Sequence, residues 1–305
     1  MRFEQLLYLE AAIRNGAMRT AATELGVSQP TMSQQIQRLE EELDLVLLVR
    51  ARTGVKPTDS AERLLPHIRN ALTSRDLLLQ EAQAIRGIHV GRVRIGAVPT
   101  ALRLLLNQVL PEFRQRYPHV NLRVWEDHSE AVSGQVSDGL CDLGIIGRHR
   151  DTHPSWLDGL SVVDLIEEPV VLCLPPSHPL SERPTICTDD LIDAQWVAHG
   201  SGFTLSLVAQ SLFNAPAPEP VFHSNDTATA IAMVTAGVGL AALPLSALAG
   251  YDERAIKVIR RISGTRQLPT LVLSMIRREN SASSPGTRRM SAMLRSRAAD
   301  LRSGS

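Results

Sequence analysis

Cysteine is nearly absent from this sequence: three occur in 305 residues, at Cys141, Cys173 and Cys187. An odd, widely spaced set supports no disulfide framework. With no CxxC pair or Cys/His cluster, it supports no zinc site either. A reducing compartment follows, and a cytoplasmic location is expected. Net charge is absent too, at +0, so no global field advertises a polyanionic partner. The opening MRFEQLLYLE carries Glu4 and Glu10 and has no long apolar core, so it does not read as a secretory signal peptide. One stretch, 227–250, is uncharged for long enough to cross a bilayer. Its Ala, Gly and Thr content and its breaks at Gly237, Gly239 and Pro244 predict instead a helix, a turn, a buried strand and a further helix inside a globular core. No membrane partner is expected.

Catalytic constellations are missing as well. GVGLAA at 237–242 has the GxGxxA spacing of a dinucleotide fingerprint. That motif needs a strand before it and a helix after it, and the order here reads the other way round. Ser201 is no nucleophile elbow, because His199 and Phe203 stand where that turn needs glycine. Asp127, His128 and Ser129 are adjacent, which reads as a polar loop rather than a triad. No cofactor or metal is expected, and no enzymatic activity.

What is present starts near the N-terminus. In TAATELGVSQPTMSQQIQRLEEE (20–42), Ser28 can cap a helix whose first turn tolerates Pro30. Met32, Ile36 and Leu39 then recur at i, i+4 and i+7, one apolar stripe. Thr31, Ser33, Gln34, Gln37 and Arg38 occupy the other faces. Ala21, Ala22 and Leu25 form a shorter helix stopped at Gly26. Two short helices joined by a tight glycine turn, the second carrying amides and hydroxyls outward, read as a helix-turn-helix. Gln and Ser suit the donor and acceptor pairs of base edges in the major groove. A solvated polar face on an ordinary helix would use the same residues, and Arg50, Arg52 and Lys56 tip the balance. These three cations have no acid between Asp44 and Asp59 and fall in LDLVLLVRARTGVKPT, a short β-ribbon turning near Thr53-Gly54. Residues 1–58 are balanced in charge with these three included, so positive charge must be placed locally rather than in bulk.

Residues 1–66 resemble the DNA-binding domain of the LysR-type transcriptional regulators. The resemblance is carried by FEQLLYLEAAIRNGAMRTAATELGVSQPTMSQQIQRLEEELDL and, more weakly, VRARTGVKPTDSAERLLP, and the remainder matches in order. It implies an α+β chain: an N-terminal winged helix-turn-helix, a long linker helix and a C-terminal two-lobed α/β effector domain like periplasmic binding proteins. It also implies double-stranded DNA as partner, through an interrupted palindromic operator. A small-molecule effector, homodimers or dimers of dimers, and RNA polymerase in the case of an activator complete the implied partners. DNA contacts are expected from Gln29, Pro30, Thr31, Ser33, Gln34 and Arg38 on the recognition helix and from Arg50, Arg52 and Lys56 on the wing. Leu48, Pro57 and Ala61 depart from the family pattern, which usually has Phe, an aliphatic residue and Gly. Gln34 replaces the usual Arg, so the family's base preference at that contact does not carry over.

The expected organisation is a winged helix-turn-helix over 1–58, with the motif itself at about 18–37. A linker and dimerisation helix with a hinge at Gly87 takes 59–90, and an effector domain takes 91–305. Residues 59–86 carry an apolar seam of Leu64, Leu65, Ile68, Leu72, Leu79, Ala82 and Ile85, suited to pairing with a second copy. Thr58 or Asp59 caps this helix, and Asp59 with Glu62 has capping-box spacing. From Arg92 strands alternate with helices, which predicts parallel sheets. Lobe I takes about 91–163 and 267–305, and lobe II about 164–266. Ligand is expected in the cleft, at helix starts carrying Thr100, Ser129, Gly202, Phe203, Thr204 and Asp226, with Arg148 as a further source of charge. Amides at helix N-termini favour an anion, commonly a carboxylate. The competing class is a solute-binding or enzymatic α/β protein with an N-terminal helical association module.

Overall fold

The computed structural model describes residues 1–51, 54–86, 91–150, 152–183, 185–200, 204–213, 217–224, 226–252, 254–260, 262–263, 269–279 and 281–303, with the side chains of residues 50, 51, 84, 207, 208 and 303 set aside. Contacts divide the chain into two compact units: residues 1–90 with the short segments 137–140 and 282–285, and the remainder.

The first unit runs α1 (Phe3–Asn15), α2 (Met18–Glu24), α3 (Gln29–Leu43), β1 (Leu48–Ala51), β2 (Gly54–Pro57) and α4 (Asp59–Ile85). The Ser28 hydroxyl accepts from the Thr31 amide at 3.2 Å, the expected cap of α3. Gly26, at φ 67°, ends α2: its amide donates to the Thr23 carbonyl and the Val27 amide donates to Ala22. That pair of bonds is a Schellman motif, which turns the chain sharply enough to start α3 two residues later. Met32, Ile36 and Leu39 are buried against Leu6, Leu9, Ala21, Ala22 and Leu47. Each such side chain contributes roughly 1.5–3 kcal/mol, so α3 cannot roll about its axis, and Gln29, Pro30, Thr31, Gln34, Gln37 and Arg38 are held exposed.

Two expectations for α4 change. Thr58 is its cap, accepting from the Ala61 amide at 3.2 Å while donating to the Val46 carbonyl at 2.8 Å. The third helical residue is therefore Ala61, and the Asp59–Glu62 box is not the capping arrangement. The apolar seam also divides. Ile68 belongs to the core of this unit, with Leu64, Ala71 and Leu72 packed against it, and Leu65 is buried. Leu78, Leu79 and Ile85 are exposed by 69%, 48% and 82%. Only the C-terminal half of the seam presents apolar surface.

The ribbon pairs antiparallel, Val49 with Lys56 and Arg50 with Val55, so Arg50 and Lys56 hold positions of opposite parity in the ladder. Pro57 closes the short second strand, as a residue without an amide proton should. The ribbon is tied down at both ends. Glu40 of α3 accepts from the Leu47 and Leu48 amides at 2.7 and 3.1 Å, and the Val55 amide donates to the Gly16 carbonyl at 2.9 Å.

The second unit contains β3 (Gly91–Ala97), α5 (Pro99–Ala101), α6 (Asn107–Arg116), β4 (Val120–Glu126), α7 (Ser129–Ser137), β5 (Leu143–His149) and β6 (Leu160–Leu174). It continues with β7 (Val197–His199), α8 (Thr204–Gln210), β8 (Phe222–Ser224), α9 (Thr227–Thr235), β9 (Ala241–Pro244), β10 (Lys257–Ile259), β11 (Thr270–Arg278) and α10 (Pro285–Ser303). The helical stretch between α5 and α6 is a π turn at Leu102–Leu106, and the segment after β9, expected as a helix, is a 3-10 turn, Leu245–Leu248. Strand pairing is mixed rather than purely parallel. β3 lies parallel to β4 and β5, and β7 parallel to β8, whereas β11 runs antiparallel to β5 and β6. The reversal arises because β11 returns from the second lobe and enters the first sheet from its far end.

β6 is the strand both lobes share. Through Pro169 it pairs with β11; from Val170 it pairs with β9 and β10. Val171, Cys173, Ile231, Val234 and Leu243 form the second lobe's own core, while Phe113, Ile95, Ile145, Met290 and Leu294 fill the first. In the 227–250 stretch, α9, the Gly237 turn and β9 follow in the expected order, and among the described residues no helix is long and apolar enough to cross a membrane.

Two glycine substitutions separate turn geometry from space. Gly54 has φ 131°, and a Cβ built there lies 2.1 Å from the Gly16 carbonyl oxygen. Gly54→Ala is expected to lower unfolding stability by about 1–3 kcal/mol. Gly134 is exposed in α7, and a Cβ added there meets nothing within 4 Å. Gly134→Ala should therefore gain about 0.5–1 kcal/mol. Chemical denaturation of both variants checks the pair, and a Gly54 variant as stable as the parent would contradict the wing geometry.

Candidate functional site

In the first unit the exposed polar face of α3 is fixed by what lies beneath it. Arg14 bonds Glu24 at 2.7 Å and Glu10 at 3.4 Å, Asn15 adds a bond to Glu24 at 2.8 Å, and Glu10 also faces Arg69 at 3.7 Å. Glu40 is taken by the backbone before the wing. Three of the domain's acids are thus engaged internally. This answers the charge balance of residues 1–58: a local positive surface does not require an excess of basic residues. Gln29, Pro30, Thr31, Gln34 and Arg38 are exposed, Ser33 is half-buried, and Lys56 is exposed on β2. Arg50 is on β1 with its side chain set aside, and Arg52 lies outside the described residues.

In the second unit two hydroxyls converge on one backbone carbonyl. Ser129, at the start of α7, donates to the Gly147 carbonyl of β5 at 2.8 Å and accepts from the Gly147 amide at 3.1 Å. Thr204, at the start of α8 in the other lobe, donates to that carbonyl at 2.7 Å and stands 3.1 Å from the Ser129 hydroxyl. Beside this clasp is a cavity of about 30 Å³, lined from the first lobe by Thr100, His128 and Ser129 and from the second by His199, Thr204 and Thr227. Val98, Pro99, Leu205 and Leu271 supply its apolar wall. That volume holds about one water molecule.

The structure therefore brings Thr100, Ser129 and Thr204 together. It does not bring Asp226, which is the cap of α9: its carboxylate accepts from the Thr229 amide at 2.8 Å and the Thr229 hydroxyl at 3.0 Å, and it is not a lining residue. Gly202 and Phe203 lie outside the described residues, as does Gly87. Arg148 is not a spare cation. It bonds Asp164 at 2.6 Å and donates to the carbonyls of His149, Arg150 and Thr152. Burial alone would raise the Asp164 pKa, but the hydrogen bonds from Arg148 and Ser274 hold it below the ordinary value. Thr227, one of the hydroxyls expected at the start of α9, lines the cavity. Sequence reasoning missed His199, which figures there only as the wrong residue for a nucleophile elbow.

Triad and thiol chemistry find no support. The His128 Nδ1 accepts from the Ala131 amide at 3.3 Å, capping α7, and Asp127 accepts from the His128 amide and from Gln135. His178 likewise caps a 3-10 turn, accepting from the Leu180 amide. Burial pushes the Cys141 thiol up to about 11 and the Cys173 thiol up to about 12, away from the thiolate that redox chemistry needs.

A winged helix-turn-helix followed in one chain by a two-lobed α/β binding domain defines a ligand-responsive DNA-binding regulator. Two family profiles match, "Bacterial regulatory helix-turn-helix protein, lysR family" over residues 3–62 and "LysR substrate binding domain" over residues 86–299. The chain belongs to the LysR family of transcriptional regulators, and it is a DNA-binding regulator with an effector-binding domain rather than an enzyme. Among curated relatives, a probable RuBisCO transcriptional regulator of Gracilaria tenuistipitata var. liui is 30% identical over 209 residues, 68% of this chain and 67% of that protein. Among solved structures, a full-length OxyR variant from Pseudomonas aeruginosa shares the fold with a TM-score of 0.74 at 21% identity, over 98% of this chain and 94% of that one. The LysR family regulator CbnR is 25% identical with a TM-score of 0.62, over 98% and 99%, and has also been solved complexed with its target DNA.

If the Thr204 hydroxyl joins the two lobes, Thr204→Val should cost about 1 kcal/mol and Thr204→Ser close to nothing. Urea denaturation of the full chain measures both. A loss in Thr204→Ser with none in Thr204→Val would assign the effect to the methyl group and not to the bond.

Proposed function

We propose that this regulator binds an interrupted palindromic operator as a homodimer or dimer of dimers, and that a small, anionic metabolite held between the two lobes modulates operator binding or activation. The observation that carries the proposal is the cavity lined from both lobes beside the Ser129–Gly147–Thr204 clasp. With room for about one water, it cannot take a metabolite unless the lobes part, and parting them breaks the Thr204 bond. Ligand binding and lobe arrangement are then one equilibrium, and a ligand that favours one arrangement shifts it. Thr100, Ser129, Gly202, Phe203, Thr204 and Asp226 are the proposed effector contacts, and Thr100, Ser129 and Thr204 line the cavity.

Gln29, Pro30, Thr31, Ser33 and Gln34 are proposed to meet the major groove, with Arg38 beside them, and Arg50, Arg52 and Lys56 to meet phosphates. The existence of a CbnR complex with target DNA supports reading the same motif this way. RNA polymerase is a further partner if the protein activates. The proposed limits are 1–58 for the reader, 59–90 for the linker and hinge, and 91–305 for the effector domain. Dimerisation is assigned to the exposed half of α4, around Leu78, Leu79 and Ile85, because Ile68 and Leu72 serve the reader's own core.

Gln34→Ala should change which operator sequences are preferred, since Gln favours adenine. Lys56→Ala should weaken all sequences and reduce the salt slope of binding by about one. Uniform loss in both variants, measured by titration against operator libraries, would remove the division of labour. Leu79→Glu should shift the oligomer toward monomer in sedimentation without unfolding the chain; an unchanged oligomer would exclude this half of α4.

A further inference from the structure

The chain as a whole carries a formal charge of +0, yet two helices packed side by side in the first lobe are strongly basic. Over 107–116 and 285–303 there are seven arginines against two acids, Glu112 and Asp300. Val109 and Phe113 of α6 share one core with Met290, Leu294 and Ala298 of α10, which turns the remaining faces of both helices outward. Arg297 of α10 bonds Gln108 near the start of α6, and Arg289 lies 5.0 Å from the ring of Tyr117, just past its end. The two helices therefore run antiparallel, and their charges belong to one surface. Asp300, 4.0 Å from Arg297, offsets one charge only.

Along α10, Arg288, Ala292, Arg295, Ala299 and Arg302 recur at i, i+4, i+7, i+11 and i+14 and are all exposed. They form a single stripe about 21 Å long by helical rise. Arg302 ends it beside Asp164 and Glu167, carboxylates already held by Arg148 and Arg150. At the other end, Arg114 and Arg116 are exposed on the last turn of α6. Arg116 and Arg289 stand 5.9 and 5.0 Å from the same Tyr117 ring, like charges whose repulsion a bound anion relieves.

We propose that the α6–α10 face is a second DNA-contacting surface of this regulator, one that holds the phosphate backbone of duplex beyond the segment met by the winged helix and reads no sequence itself. A stripe of this length exceeds a small anion and suits an extended one. Duplex DNA presents about one charge per 1.7 Å of axis, and the planar fork of arginine matches phosphate. Ala292 and Ala299 keep the helix low between the arginines, so a duplex backbone can approach closely. DNA is already a partner of this chain through its helix-turn-helix. A reader seated on its operator therefore raises the effective concentration of neighbouring duplex for this face.

The test titrates the full chain with a random-sequence duplex of about 40 bp over a range of salt, since each phosphate contact contributes about 0.9 to the slope of log K against log salt. The variant Arg114→Gln/Arg116→Gln/Arg295→Gln should lower that slope by about two to three. The control Arg183→Gln/Arg254→Gln/Lys257→Gln removes three exposed cations of the second lobe and should leave it unchanged. Equal reductions in both would assign the loss to net charge, and an unchanged slope in the first would leave the face without DNA; either result overturns the proposal. A second measurement needs only the parent protein. Modification of arginines by phenylglyoxal, mapped by mass spectrometry, should slow severalfold at Arg114 and Arg295 when the duplex is added. No slowing would overturn the proposal, and so would protection that follows protein concentration without DNA, which would give the face to a second copy of the chain.

Discussion

The Gly147 carbonyl, reached by hydroxyls from both lobes, is the point on which the sensing half of this protein turns. Ser129 holds Gly147 from within its own lobe, by two bonds, and Thr204 holds it from the other lobe, by one. The asymmetry matters. Ser129 ties the end of β5 to the start of α7 within one lobe, whereas the Thr204 bond crosses between the lobes. β6 runs continuously across the junction, and β11 pairs with it up to Pro169, which faces Thr270. A bond worth about 1 kcal/mol is small enough for a ligand to replace and large enough to bias the resting arrangement.

The reading half depends on a different constraint, the burial of Met32, Ile36 and Leu39. With that stripe fixed, side-chain identities on the far face become a surface of known composition, and the Glu40 carboxylate then sets where the wing begins. One carboxylate accepting two amides links recognition helix to ribbon through the backbone. It also shows why the even charge count of residues 1–58 is a poor guide: acids there are structural as well as electrostatic.

Sequence periodicity exposes α3, its Ser28 cap and the glycine turn because those features are local. The two-lobed plan and the order of elements around Gly237 are legible for the same reason, helped by the family resemblance. The α4 seam is not, because one apolar stripe can serve two partners: its first half closes the reader's own core and its second half is exposed, and a repeat of Leu and Ile looks the same in both. Arg148 misleads because a strand-end arginine resembles a ligand contact until Asp164, 16 positions later in sequence, is seen beside it. Asp226 shows how capping chemistry and anion-site chemistry look alike in sequence: its carboxylate is engaged by the Thr229 amide and hydroxyl. His199 is the reverse case, a residue whose neighbours Thr100, Ser129 and Thr204 are separate in sequence and meet it only around the folded cavity.

Hydrogen–deuterium exchange of the full chain tests the clasp most directly, comparing the parent with Thr204→Val. If Thr204 joins the lobes at Gly147, peptides covering 127–133, 145–149 and 204–210 should all exchange faster in the variant, while the α3 peptide 29–43 stays unchanged. Faster exchange confined to 204–210 would mean that the lobes are held elsewhere, and the account of the cavity as the point of control would fail.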